Sequence, residues 1–321
     1  MKTVLLTGFA GFIGSQLLRD LIDKGYSVIG LDNLSEGSSL ANFSEFKSHP
    51  QFIPLILELT EDRLGVILDN YLGSTKVDFV INCAADSHVD RSWGQVSKFI
   101  DSNIKGPLNL AKWALRHGVE KFVQVSTDEV WGGAEQPYSE TSEFRPENVY
   151  SSSKASAELF LNNFAKAYNL PLVITNGANT YGKRQNEEKI IPLTVSRLLC
   201  KEKIPLYKTP AQRMWLHVAD HSSGIIAAME RGYAGSKYCL APEVENELYT
   251  HELIDDICDI LGKDSKDCVE LVEDRLNYDL RYYMLNGKAK KDLHWNPRRK
   301  IQEELPAVVM WFKNKFKEGI L

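Results

Sequence analysis

The chain is poor in cysteine and has no long apolar run. Its five cysteines, Cys83, Cys200, Cys239, Cys258 and Cys268, are scattered and odd in number. None has CxxC spacing or a histidine cluster beside it. That argues against a disulfide framework and against a zinc site, and no metal is expected. No stretch approaches the length that crosses a bilayer. The opening "MKTVLLTG" stops at a glycine turn, too soon for a secretion signal. Long basic runs are also missing: "NPRRK" at 296–300 is short and is followed by "QEEL". With 38 basic and 43 acidic residues interspersed, the net charge is −5. Nucleic acid and membrane are therefore not expected as partners. A reducing cytoplasm is the expected home.

The 321 residues, 43% of them hydrophobic, suffice for one large domain or two unequal ones. In the first half, short apolar runs alternate with amphipathic stretches. "TVLLTG", "SVIGLDN", "VDFVINCAA", "KFVQVST" and "LPLVITNG" read as strands. "SQLLRDLIDKG" reads as a helix with Leu17, Leu18, Leu21 and Ile22 on one face and Gly25 as its stop. "PLNLAKWALRHG" reads as another. The pattern predicts an α/β fold, a Rossmann-type doubly wound parallel sheet covered on both faces. After Gly177 the rhythm loosens. "NTYGKRQNEEKIIP" reads as a polar loop, and "IPLTVSRLLCKEK" and "KYCLAP" as a later helix and strand. The expected division is a dinucleotide-binding domain over 1–176 and a smaller C-terminal α/β substrate-binding region over 177–321, one segment of which returns to the sheet.

Three motifs carry chemistry. "TGFAGFIG" sets Gly8, Gly11 and Gly14 between the first strand and the first helix. This gives a tight turn, close backbone approach to a pyrophosphate, and a helix N-terminus facing the anion. Asp32 ends the second strand, where a carboxylate accepts from ribose hydroxyls and repels a 2′-phosphate; NAD is the expected cofactor. In "YSSSK", Tyr150 and Lys154 lie four apart and share a helix face. A neighbouring ammonium, with the positive charge of an oxidised nicotinamide, is expected to lower the tyrosine pKa and fit it to act as a base. Finally, "STDEV" ends an apolar strand with Thr127 and two adjacent acids, Asp128 and Glu129. Alone, such a pair suits a wet turn.

Together these motifs resemble the extended short-chain dehydrogenase/reductase superfamily over nearly the whole chain. Within it, "STDEV" followed by "YSSSKAS" resembles the nucleotide-sugar 4,6-dehydratases. The resemblance implies NAD-dependent removal of water from a nucleotide hexose, with dTDP-glucose expected first and a UDP- or other nucleotide (N-acetyl)hexose next. A 4-epimerase on the same scaffold is the enzymatic alternative. It implies catalytic roles for Thr127, Asp128, Glu129, Tyr150 and Lys154. Cofactor contacts are implied for Gly8, Gly11, Phe12, Ile13, Gly14, Asp32, Asn33, Glu58, Leu59, Ala84, Ala85, Ser87, Asn103 and Asn176, with Tyr150 and Lys154. Substrate contacts are implied for Ser87, His88, Thr127, Asn179, Glu188, Lys189, Arg213, Asn246, Arg275 and Tyr278, and a homodimer is implied through two long helices. Some positions depart from the family pattern. Phe9 stands for a glycine, Trp131 for a tyrosine expected in the pocket wall, Asn176 for an arginine, and Tyr278 for a histidine. "YKTPAQR" lacks a glycine-rich turn.

Overall fold

The computed structural model describes residues 1–318. Its first half is built from β1 (Thr3–Thr7), α1 (Phe12–Asp23), β2 (Ser27–Asp32), β3 (Phe52–Ile56), α2 (Leu64–Leu72) and β4 (Phe79–Asn82). There follow α3 (Val89–Gly94), α4 (Val96–Ile100), α5 (Gly106–Arg116), β5 (Lys121–Thr127), α6 (Val149–Tyr168) and β6 (Leu172–Gly177). The second half holds β7 (Asn179–Tyr181), α7 (Ile190–Cys200), β8 (Ile204–Tyr207), β9 (Gln212–His217), α8 (Val218–Arg231) and β10 (Lys237–Leu240). It ends with β11 (Glu247–Tyr249), α9 (Thr250–Ile260), α10 (Ser265–Cys268), β12 (Val269–Val272), α11 (Gly287–Leu293) and α12 (Ile301–Lys317).

Seven parallel strands form the main sheet in the order β10-β6-β5-β4-β1-β2-β3. Its central strands are buried on both faces, as near-continuous Val, Ile and Leu runs require. One face packs against α1, α8 and α11, with Leu17, Leu21, Ile225 and Leu293 in that core. The other packs against α2, α5 and α6 through Leu68, Trp113 and Leu161. A third core gathers Ile191, Trp215, Ile257 and Phe312 under α7, α9 and α12. Smaller sheets, β11-β9-β7 and β12-β8, belong to the second half. From that half β10 runs back to pair with β6, Lys237 opposite Ile174.

Three local features differ from the sequence reading. The strand β3 escaped it because Pro54 interrupts the run; the structure places β3 at the sheet edge, where a missing N–H is tolerated. The start of "NTYGKRQNEEKIIP" is the short strand β7, paired with β9 rather than left as loop. The helical run from 96 to 116 is not uniform. Between α4 and α5 it widens into a π turn over Asp101–Lys105, where Gly106 N–H donates five residues back to Asp101. Pro107, next in the chain, has no N–H to offer the ordinary ladder.

Candidate active site

The site lies at the C-terminal ends of the parallel strands, where α/β sheets open a crevice. At the close of β1, Thr7 Oγ1 donates to Asn82 Oδ1 at 2.6 Å and accepts from the backbone N–H of Cys83 and Ala84 at 3.1 Å. That hydroxyl ties β1 to β4 and lays Ala84 against the glycine turn. Gly8 has φ +71°, and a Cβ there would stand 2.9 Å from Ala84; a Cβ at Gly14 would stand 1.9 Å from Gly8 O. Both glycines are therefore obligatory. Phe9, by contrast, is fully buried, edge-on to Phe43 and Phe52 and seated in the space that Gly30 leaves open. It points away from the turn.

A cleft of about 660 Å³ runs from this turn across the ends of β4, β5 and β6 into the second half. It is lined by Gly8, Gly11, Phe12, Ile13, Gly14, Asp32, Asn33, Glu58, Leu59, Ala84, Ala85 and Ser87 on one side. His88, Asn179, Glu188, Lys189, Arg213, Arg275 and Tyr278 line the other, with Thr127, Asp128, Glu129, Tyr150 and Lys154 between them. Three residues implied as contacts do not line this cleft. Asn246 is buried away from the cleft, its Oδ1 accepting from Ile301 N–H at 2.6 Å where α12 begins. Asn103, on the π turn, instead braces the wall from behind: Oδ1 accepts from Asp86 N–H, and Nδ2 donates to Asp86 O and Ser153 Oγ. Asn176 lies beneath the floor, with Nδ2 donating to Thr127 O and Glu158 Oε1. Trp131 does not shape the pocket either; it is fully buried in the core, with Nε1 donating to Ser142 O.

The residues around the turn fit a dinucleotide. The N-cap of α1 is Gly11, with no side chain to satisfy the first helical N–H groups, and that end faces the cleft. Asp32 is already engaged: Oδ2 accepts from Ala10 N–H, and Oδ1 from Leu34 N–H and Ser38 Oγ. A carboxylate accepts about four hydrogen bonds, so roughly one place is left for a ribose hydroxyl.

The central residues are set by β5 and α6. Thr127 ends β5 and caps a 3-10 turn, Oγ1 accepting from Glu129 N–H at 3.3 Å and donating to Asp128 Oδ1 at 3.2 Å. Asn148 caps α6, its Oδ1 accepting from Ser151 N–H while Ser151 Oγ accepts from Asn148 N–H. That reciprocal cap fixes Tyr150 in the first helical turn. Lys154, one turn on, donates to Val125 O at 2.8 Å, and burial pushes its pKa down to about 8. Asp128 is pushed up to about 7 by burial and by the charge of Glu129. Burial raises Glu129 too, but Arg275, Lys189 and a hydrogen bond from Asn148 oppose it. Burial and the Glu129 charge push the Tyr150 pKa up.

The far wall holds residues the sequence reading passed over. Arg91 pairs with Glu188 at 2.8 Å and with Glu36, while Glu188 also meets His88 Nε2 at 3.2 Å. Arg91 lies three residues after His88 on the same helix, a spacing that marks them as neighbours. Tyr207 packs edge-on to Tyr278 at 4.8 Å, and Arg213 lies over the Tyr282 ring at 4.3 Å. Nothing in the local sequence around Tyr207 signals that pairing.

A parallel sheet with a glycine turn opening onto a Tyr/Lys helix places the chain among the extended short-chain dehydrogenases/reductases. Comparison with known proteins narrows this. The chain belongs to the nucleotide-sugar 4,6-dehydratase family: the family model described as GDP-mannose 4,6 dehydratase matches residues 5–307. It is 36% identical over 317 residues to the dTDP-glucose 4,6-dehydratase of Streptomyces griseus, covering 96% of this chain and 93% of the relative. The Neisseria gonorrhoeae dTDP-glucose 4,6-dehydratase is 32% identical, with 97% and 95% covered. The Streptomyces venezuelae dTDP-glucose 4,6-dehydratase, solved with NAD bound, superposes with a TM-score of 0.92 at 34% identity, covering 99% and 98% of the two chains.

Proposed function

We propose that the chain is an NAD-dependent nucleotide-sugar 4,6-dehydratase that takes dTDP-glucose to the 4-keto-6-deoxy sugar. The observation that carries this is the unequal setting of two adjacent acids. Asp128 is buried and pushed up to about 7, so near neutrality it holds a proton to give. Burial raises the Glu129 pKa as well, but Arg275, Lys189 and a hydrogen bond from Asn148 oppose that shift and favour its charged, proton-accepting form. One acid and one base on the same C5–C6 bond are what loss of water requires.

NAD, when bound, supplies the acceptor for the C4 hydride and the donor that returns it at C6. Tyr150 takes the proton of the C4 hydroxyl, and Thr127 Oγ1 steadies the C4 oxygen. The burial that raises the phenol pKa keeps Tyr150 protonated near neutrality, and a nearby positive charge opposes this by favouring the phenolate that accepts the proton. Lys154 is held by Val125 O and supplies part of that charge in its protonated form. The C4 ketone acidifies C5; Glu129 removes the C5 proton while Asp128 protonates the departing C6 hydroxyl, and hydride return to C6 is completed by a proton delivered to C5 from Glu129 after exchange with solvent. Each such acid or base contributes about 10²–10⁴ in rate.

Arg213, Arg275 and Lys189 form the cationic end of the cleft and suit the substrate diphosphate. The dTDP-sugar assignment rests on the curated relatives; Tyr207 and Tyr278 furnish an aromatic wall for a base. The Rossmann domain is taken as 1–176 and the nucleotide-sugar region as the remainder. Val96, Ile100, Leu159 and Phe160 are exposed on α4 and α6, which supports a homodimer through those helices. Five unpaired cysteines fit a reducing cytoplasm.

The test is a panel of dTDP-, UDP-, CDP- and GDP-hexoses in D₂O, read by mass spectrometry. Water loss with one deuterium at C5 is expected with dTDP-glucose. Glu129→Gln is expected to abolish C5 deuteration while C4 oxidation stays detectable. A product that keeps the C6 hydroxyl identifies an epimerase instead.

A further inference from the structure

Behind the strand ends lies a polar cluster that the chemistry above does not use. Glu158 is completely buried on α6, one turn past Lys154, so Tyr150, Lys154 and Glu158 recur every four residues on one helix face. Its Oε1 accepts from Ser126 Oγ at 2.6 Å and from Asn176 Nδ2 at 2.7 Å. Its Oε2 meets Lys237 Nζ at 2.5 Å. Lys237 comes from β10, and its ammonium lies 4.3 Å from the Phe144 ring centroid and 5.4 Å from that of Trp131. The same Asn176 Nδ2 also donates to Thr127 O at 2.8 Å. A continuous path therefore runs from Lys237 through Glu158 and Asn176 to the peptide that joins Thr127 to Asp128.

We propose that Glu158 and Lys237 are positioning residues for the elimination, holding Asn176 and through it the Thr127–Asp128 peptide in register with the sugar. The inference rests on the dehydratase reading. A buried carboxylate stays in place only with a partner. Without Lys237, Glu158 must recruit another donor, and Asn176 Nδ2 is shared with the Thr127 carbonyl. The cluster also ties together two departures from the family pattern. Asn176 lacks the cation of the usual arginine, and a cation arrives from the neighbouring strand at position 237. Trp131, absent from the pocket wall, forms part of the aromatic seat for that cation.

The experiment measures kcat, KM, NAD affinity and thermal midpoint for the NAD-loaded wild type, Lys237→Met, Lys237→Arg and the neutral double variant Glu158→Leu/Lys237→Met. Displacing catalytic groups by about 1 Å costs up to about 100-fold. Lys237→Met is accordingly expected to lose about 10–100-fold in kcat, with KM and NAD affinity within about twofold of wild type. Lys237→Arg is expected to recover most of that loss. If Lys237→Met does not fold, the double variant, which leaves no unpaired charge and takes the acceptor away from Asn176, is expected to fold and to show the same kcat loss. A folded Lys237→Met or double variant within about threefold of wild-type kcat overturns the proposal, as does an equal loss carried in KM. Wild-type protein that removes water in the same assay keeps the function standing when the proposal fails. Wild-type protein that removes water from no nucleotide hexose overturns both.

Discussion

Asp128→Asn sets stability against activity at one position. The Asp128 carboxyl is 2% exposed, and burial with the Glu129 charge lifts its pKa from 3.8 to about 7. A carboxyl raised in this way favours folding less as pH climbs. Below about pH 4 the acid is neutral in both states; between pH 4 and 7 the unfolded chain ionises and the folded one does not; above 7 the penalty is complete. Three pH units at 1.36 kcal/mol each put the full penalty at about 4 kcal/mol. Asparagine removes the ionisation and keeps an acceptor for Thr127 Oγ1. Asp128→Asn is therefore expected to be more stable than wild type by about 1.5 kcal/mol at pH 5 and by about 4 kcal/mol at pH 8. Urea unfolding at the two pH values, without substrate, measures the difference. The same variant loses the proton donor and is expected to fall about 10²–10⁴-fold in kcat. A stability gain that stays flat from pH 5 to pH 8 would refute the burial argument, and full activity would refute the role.

Two further outcomes follow from other parts of the molecule. Asn246→Ala is expected to lower stability by about 1–2 kcal/mol, through the lost cap of α12, while leaving KM unchanged; a raised KM in steady-state assays would return Asn246 to the substrate site. Leu159→Glu with Phe160→Glu is expected to turn the proposed dimer into a monomer in sedimentation velocity without unfolding it, since both side chains are more than half exposed.

The fold was legible because buried parallel strands leave a one-dimensional trace: uninterrupted Val, Ile and Leu between amphipathic helices. The glycine turn was equally legible, because Gly8 and Gly14 answer to backbone contacts a few residues away in sequence or at the next strand end. Most of the candidate cleft could be named from motifs for the same reason. The residues that fall outside the cleft lining share one property. Asn103, Asn176 and Asn246 are neutral amides whose partners lie far along the chain or on a neighbouring element, as with Asn246 and Ile301. An amide that binds a ligand and one that braces a wall are written with the same letter, and only the fold separates them. Trp131 misled in a similar way, because its position beside the acids says nothing of which way the ring turns. Arg91 shows the converse: its helical spacing from His88 was readable, but its bridge to Glu36 and Glu188 joins segments that only folding brings together.

The return of β10 to the sheet bears on how the chain is made. A nascent chain extruded only as far as Gly177 already holds Tyr150, Lys154 and the acids, yet its sheet ends in the bare edge of β6, and the face that α8 covers is open. Such an edge invites pairing with other chains. Some sixty more residues must leave the ribosome before Lys237 can dock beside Ile174 and shield it. The order of synthesis thus leaves an interval in which the proposed catalytic groups exist while the β6 edge is still unpaired.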